Sequence, residues 1–207
     1  MAGYVEWDDA YGKQGRLWGG VTFPLLPLPP HSRILELGCG NGKLTAALSE
    51  KTDNLIALDF SVQACRLARK QLASGDGRTD LLIADARAIP LAADSVDAVV
   101  AHHIAGHLLL QDRIILMDES IRVLKKGGRF LLGDFSIEDF RCGIGREVEG
   151  KTYRRGNGII THYFSEEEVR SLTPLLTPDK IMTHRWSLKV RGKNHTRAEI
   201  IGCFTRS

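Results

Sequence analysis

No apolar stretch of the sequence approaches the ~18 residues that a bilayer-spanning helix requires. Cysteine is scarce: Cys39, Cys65, Cys142 and Cys203 are scattered through 207 residues, with no CxxC pair. That spacing excludes a disulfide frame and a zinc ribbon, and leaves buried or incidental thiols of a reducing compartment. Met1 to Asp9 is acidic and aromatic rather than basic then apolar, so no secretory leader is read there and the cytoplasm is the expected location. Internal repeats and low-complexity tracts are absent as well. What remains is an ordinary globular composition, 43% apolar and 26% charged, long enough to bury a core. One α/β domain over residues 33–207 is expected, preceded by a lid and connector over 1–32.

The net charge of +3 conceals an asymmetry. Residues 151–207 carry 11 Lys and Arg against 5 Asp and Glu, which leaves 17 against 20 for residues 1–150. A basic C-terminal third suits either solvated strand faces or a polyanion such as RNA.

Along the chain, Tyr4, Trp7, Tyr11 and Trp18 are dense enough to cap a core edge or close over a pocket. Prolines between Pro24 and Pro30 exclude helix there and give an extended connector. Alternation then becomes regular. Strands are expected at Arg33–Leu37, Leu55–Leu58, Leu81–Ala84, Asp97–Ala101 and Arg129–Gly133. Helices are expected at Lys43–Glu50, Val62–Leu72 after the N-cap Ser61, and Arg113–Leu124. Lys125-Lys126-Gly127-Gly128 should stop the third helix. Short apolar strands alternating with helices predict a doubly wound, mostly parallel α/β sheet.

Residues 136–164 lose this periodicity and read as an excursion on the substrate side. Ser165-Glu166-Glu167-Glu168 forms a capping box for a helix through Leu172. Thr183–Val190 and Arg197–Thr205 form an antiparallel hairpin across the polar turn 191–195.

The organising stretch is Ile34-Leu35-Glu36-Leu37-Gly38-Cys39-Gly40-Asn41-Gly42-Lys43-Leu44, a strand, a glycine turn and a helix start. In an open parallel sheet a ligand sits beyond the carboxyl ends of the strands. Those ends carry Glu36, Asp59 and Asp85, three carboxylates around one crevice. A dinucleotide would bring a pyrophosphate into that negative field. S-adenosylmethionine would bring a sulfonium, an ammonium, a ribose diol and an adenine, all of which can use acceptors. Lys43 also stands where a dinucleotide fingerprint places its third glycine. Asp59, 17 residues after Gly42, suits a ribose diol. The sulfonium cofactor is therefore expected, with a nicotinamide-dependent oxidoreductase and a non-catalytic cofactor-binding partner as the competing classes.

Residues 33–135 resemble the class I S-adenosylmethionine-dependent methyltransferases in ILELGCGNGKL, LIALDFS, IADARAIPLAADSVDAVVAHH and LKKGGRFLLGDFS. The resemblance implies a Rossmann-like sheet of seven strands ending in an antiparallel hairpin. It further implies that Glu36, Gly38, Cys39 and Gly40 surround the methionine moiety. Asp59 would hold the ribose, Asp85 and Ala86 would border the adenine, and His102 would lie beside the methyl, with Phe60 and Ala101 also among the cofactor-binding residues. A looser similarity of GDFSIEDFRCGIGREVEGKTYRRGNGIITHYFSEEEV and the later RWSLKVRG and RAEI is to the tRNA 3-methylcytidine methyltransferases. The longer N-terminal extension of those enzymes is lacking, so a small-molecule acceptor is expected and a tRNA base is the alternative.

In-line methyl transfer needs alignment and exclusion of water more than a nucleophile. A base is needed only for a protonated acceptor. Candidates on the acceptor side are His102, His107, Asp134 and Tyr163, each with an ordinary structural alternative. Trp18 is a candidate cofactor lid, and Arg154 and Arg155 could clamp an anionic acceptor. His103 and His107 stand four apart, but no third ligand accompanies them and no metal is expected.

Overall fold

A computed structural model describes residues 4–15, 31–72 and 79–207. Its centre is a seven-stranded sheet made of β1 (Ile34–Leu37), β2 (Leu55–Asp59), β3 (Thr79–Ile83), β4 (Val96–His102), β5 (Leu124–Phe135), β9 (Leu176–Val190) and β10 (Lys193–Arg206). The spatial order is β3-β2-β1-β4-β5-β10-β9. Strands β1 to β5 pair in parallel, and β10 runs antiparallel to both β5 and β9. The order reverses between β1 and β4, which is where a crevice must open.

Both faces of the sheet are covered, so its central strands are mostly apolar, with Glu36 of β1 and Asp97 and His102 of β4 as exceptions. Leu35, Leu37, Val99, Phe130 and Leu132 face Leu116 and Met117 of α4 (Leu110–Val123) and Val169 of α5 (Glu166–Leu172). Ile34, Leu55, Ala98, Val100 and Leu131 pack instead on Leu44 and Leu48 of α2 (Lys43–Ser49). The helix α3 (Val62–Leu72) has the bounds read from its periodicity, and Ser61 Oγ accepts from Ala64 N at 3.0 Å as its cap. No helix among the described residues is long and apolar enough to cross a membrane.

Four local readings change. Tyr4–Gln14 is a helix, α1, which the sequence did not signal because its apolar periodicity is weak. β5 begins at Leu124, since the chain leaves α4 directly into extended backbone and pairs Leu124 with Val96 before a bulge. Residues 146–162 form a small antiparallel sheet of β6 (Arg146–Glu149), β7 (Thr152–Arg154) and β8 (Ile160–His162). The hairpin turn is only Arg191-Gly192, both at positive φ (48° and 81°), with Val190 paired to Lys193.

The capping box is half realised. Ser165 Oγ accepts from Glu168 N at 3.2 Å, but the Glu168 carboxylate faces His162 Nε2 at 2.7 Å. Trp18 and the proline connector lie outside the described residues.

Candidate active site

The glycine turn does two different jobs. A Cβ on Gly42 would meet Ala68 Cα at 2.7 Å, so this glycine lets α2 pack against α3. A Cβ on Gly40 would lie 2.5 Å from the Tyr11 hydroxyl, so this one lets α1 settle over the turn. Asp59 braces the arrangement from the tip of β2. Its Oδ2 accepts from Gly40 N at 2.9 Å and its Oδ1 from Ser61 N at 2.8 Å. Asp8 of α1 joins the same node, accepting from Ser61 Oγ at 2.7 Å and Gln63 N at 3.0 Å.

Two adjoining cavities open at the strand ends. The first is lined by Asp59 and Phe60, by Asp85, Ala86 and Arg87, and by Ile104 and His107. The second, with about 320 Å³ of space, is lined by Glu36, Cys39, Gly40 and Lys43, by His102, and by Phe135, Trp186, Arg197 and Glu199. Trp7, Tyr11, Gly38 and His103 border both and mark the junction. Cofactor-type groups thus lie on the β2–β3 side, and an aromatic and charged chamber lies on the β5–β10 side.

The three carboxylates differ in state. Glu36 is 2% exposed; burial pushes its carboxyl up to about 8, and its Oε2 has no hydrogen-bond partner among the described residues. Burial also raises Asp59, to about 6, against the two backbone N–H groups that favour its ion. Asp85 is held below its ordinary range by Arg87, which donates to both oxygens (Nε at 3.0 and 3.1 Å, Nη2 at 2.6 Å) and also pairs with Asp112 at 2.9 Å. Arg87 thus offsets the charge of Asp85 and Glu36 holds its proton at neutral pH, so the negative field inferred from three carboxylates is mainly that of Asp59.

The histidines divide likewise. His102 sits at the end of β4, and burial and the neighbouring His103 keep it neutral, well below its ordinary value. His107 follows in a 3-10 turn, its Nδ1 2.7 Å from Ile160 O and its ring edge-on to Trp7 at 4.6 Å. The sequence offers His103 only as a possible metal partner of His107, yet it occupies the junction. Its φ of 54° turns the ring out of the strand path. There Glu199 Oε1 stands 3.1 Å from Nε2, and Asp134 Oδ1 stands 3.7 Å from Nδ1. Burial would lower its pKa, but the two carboxylates outweigh this and raise it to about 9.

Not every expected residue lines a cavity. Ala101 is buried within β4. Asp134 is fully buried and turned into the 3-10 turn, where it accepts from Gly106 N at 2.6 Å and Phe135 N at 2.9 Å. Tyr163 is fully buried, its hydroxyl taken by Arg155 Nη2. Both side chains point into packing because the chain around them is core on every side. Conversely, Trp186 and Leu188 of β9 and Arg197 and Glu199 of β10 form a wall of the second cavity; they lie within RWSLKVRG and RAEI, but no site role is read for them from the sequence. Their period-two spacing on facing strands was the available signal.

With this geometry in hand, the match to known proteins is specific. Residues 35–132 match the methyltransferase domain family. The chain is 18% identical to a SAM-dependent methyltransferase of Anabaena variabilis, with a TM-score of 0.74 over 100% of this chain and 94% of that one, which is a likeness of fold. Domain match, glycine turn and strand order together make residues 35–132 a methyltransferase domain, on a sheet with the fold of the S-adenosylmethionine-dependent class.

Two relatives give the range of that class. Identity is 29% over 190 residues to a tRNA N(3)-methylcytidine methyltransferase of Drosophila melanogaster, covering 80% of this chain and 58% of that protein. It is 35% over 121 residues to a demethylmenaquinone methyltransferase of Clavibacter sepedonicus, covering 58% of this chain and 48% of that protein. The chain spans about half the length of the curated relatives it matches.

Proposed function

We propose that this chain transfers a methyl group from S-adenosylmethionine to a small-molecule acceptor held in the second cavity. The observation that carries the reading is the Glu36 carboxyl group, buried beside a cavity, whose Oε2 has no hydrogen-bond partner among the described residues, next to a turn where Gly40 leaves no side chain in the way. Such a group is suited to a cation. The cofactor's ammonium would meet Glu36, its ribose Asp59, and its adenine the Asp85–Ala86 corner.

Bound there, S-adenosylmethionine supplies an electrophilic methyl on a sulfonium whose thioether leaves readily. The chain's own residues align and enclose. Asp59 fixes the turn through Gly40 N, and Trp7 and Tyr11 cover the junction and exclude water. The acceptor, on the side of Phe135, Trp186 and Arg197, would gain the methyl and release its proton, if it carries one, to solvent. The segment 136–164 is read as the substrate-side insertion.

The test is calorimetric titration with S-adenosylmethionine and with a nicotinamide dinucleotide, followed by labelled methyl transfer into separate metabolite, tRNA and protein fractions. Cofactor binding and label in the metabolite fraction are expected; binding of the dinucleotide alone would sink the reading. A tRNA base is the second reading, supported by the Drosophila alignment, which covers more of this chain than the domain match at 35–132. Label in tRNA and none in metabolites would establish it instead.

A further inference from the structure

The geometry points to a divalent transition-metal site at His102, His103 and Glu199, on the acceptor side of the junction. One ligand atom from each of the three lies within 4.8 Å of the other two. All three side chains border the second cavity, so an ion there would have three protein ligands and an open side facing the acceptor. Two imidazoles and a carboxylate with one open position is a donor set that zinc takes in catalytic sites. Imidazole ligands disfavour magnesium and calcium, which prefer oxygen. In a tetrahedral zinc site with bonds of about 2 Å the ligand atoms stand about 3.3 Å apart, so seating the ion takes a contraction of up to about 1.5 Å between ligand atoms.

Two further observations support the assignment. His103 presents Nε2 to Glu199 at 3.1 Å while its Nδ1 faces the buried Asp134 at 3.7 Å. A ligating imidazole is characteristically oriented in this way, with its second nitrogen turned to a carboxylate. In addition, His103 holds a left-handed backbone at φ 54°, and strain of this kind in a non-glycine residue concentrates at functional sites. Asp134, fully buried and away from both cavities, thereby gains a role as a positioning residue.

The site stands apart from the proposed methyl transfer, but its meaning for the acceptor rests on that reading. An open coordination position beside the junction selects an acceptor that presents a hydroxyl or thiol. The ion would hold its deprotonated oxygen or sulfur, the proton going to solvent.

The experiment uses the full chain, stripped with a chelator and titrated with zinc, with cobalt as a spectroscopic reporter. Binding of about one ion per chain is expected, with a visible cobalt spectrum of low coordination number. Glu199→Gln should weaken binding at least tenfold, and Asp134→Asn should weaken it about 10–100-fold. Cooperative thermal unfolding of each variant confirms that it is folded, and the cobalt spectrum of the unsubstituted chain needs no variant. No stoichiometric binding, or binding unchanged by Glu199→Gln, overturns the site. Titration of the same preparation with S-adenosylmethionine separates the two claims. Cofactor binding without zinc binding refutes the metal alone, and zinc binding without cofactor binding refutes the transferase reading alone.

Discussion

The Tyr11 hydroxyl occupies the position next to Gly40 that a side chain would claim: a Cβ there would stand 2.5 Å from it. Gly40 also has φ 53°, a conformation that costs an L-residue about 1–2 kcal/mol. Gly40→Ala should therefore both strain the turn and push α1 off it. Cofactor affinity should fall more than tenfold in calorimetry while the far-UV circular dichroism spectrum stays that of the parent. Unchanged affinity would show that α1 and the turn do not cooperate.

Asp59, the proposed ribose ligand, also bears on stability. Its two oxygens each take a backbone N–H, from Gly40 and Ser61. Hydrogen bonds to a charged group contribute about 1.5–3 kcal/mol each. Asp59→Ala should lower the unfolding free energy by about 2–4 kcal/mol, read by urea denaturation, and weaken the cofactor at the same time. A loss of affinity with no loss of stability would confine Asp59 to the ribose.

Glu36 sets a pH dependence. Its folded-state pKa, raised by burial to about 8, lies above the ordinary value near 4.5, so the folded state binds the extra proton. The contribution to stability is full below pH ~4.5 and is lost as pH rises toward 8. Asp59, raised to about 6, works in the same direction over the lower part of that window. Binding a cation beside Glu36 favours the ionised form, so cofactor affinity should rise from pH 6 to 8 with release of a proton. Calorimetry in two buffers of different ionisation enthalpy measures that proton. Zero release at pH 7 would contradict the pairing of Glu36 with the ammonium.

Asp8 ties α1 to the rest of the chain through Ser61 and Gln63. Asp8→Ala should cost about 1 kcal/mol locally. The effect should appear as faster proteolysis within residues 4–15 and faster cofactor dissociation in stopped flow, with the association rate little changed. Equal dissociation rates would remove α1 from the gating of the site.

Asp139 organises the wall of the second cavity. It is buried and accepts from Arg141 Nε at 2.8 Å and Arg197 Nε at 2.6 Å, while both guanidiniums lie over Phe135 and Arg197 also lies over Trp186. Asp139→Ala leaves two cations without their carboxylate and should destabilise the fold by about 3–5 kcal/mol. Where it folds, KM for the acceptor should rise while the cofactor Kd holds. A changed cofactor Kd would place this wall on the other half of the site.

Much of this was legible in the chain. Central strands read as apolar runs because both sheet faces are covered, and α3 and α5 announced themselves through their caps and periodicity. Glu36, Asp59 and Asp85 were found because strand ends in a parallel sheet converge on one crevice. Arg87 was overlooked as the partner of Asp85, although it stands two residues away, because spacing does not tell which way a loop guanidinium folds. His102 was chosen over His103 because a strand end gives the position of a residue and not the direction of its ring. That direction comes from one left-handed residue, which leaves no trace in composition. The small sheet at 146–162 is short and largely exposed, so it lacked the apolar pattern by which strands are recognised.

The junction between the cavities is built from α1, the glycine turn and β4, whereas Trp186, Leu188, Arg197 and Glu199 come from the last two strands. Those strands pair with the parallel part of the sheet only along β5. The chain's end can therefore accumulate substitutions that reshape one chamber while the other keeps its walls. Recombining residues 176–206 between such proteins is then a route to new acceptors that leaves Glu36, Asp59 and the glycine turn in place.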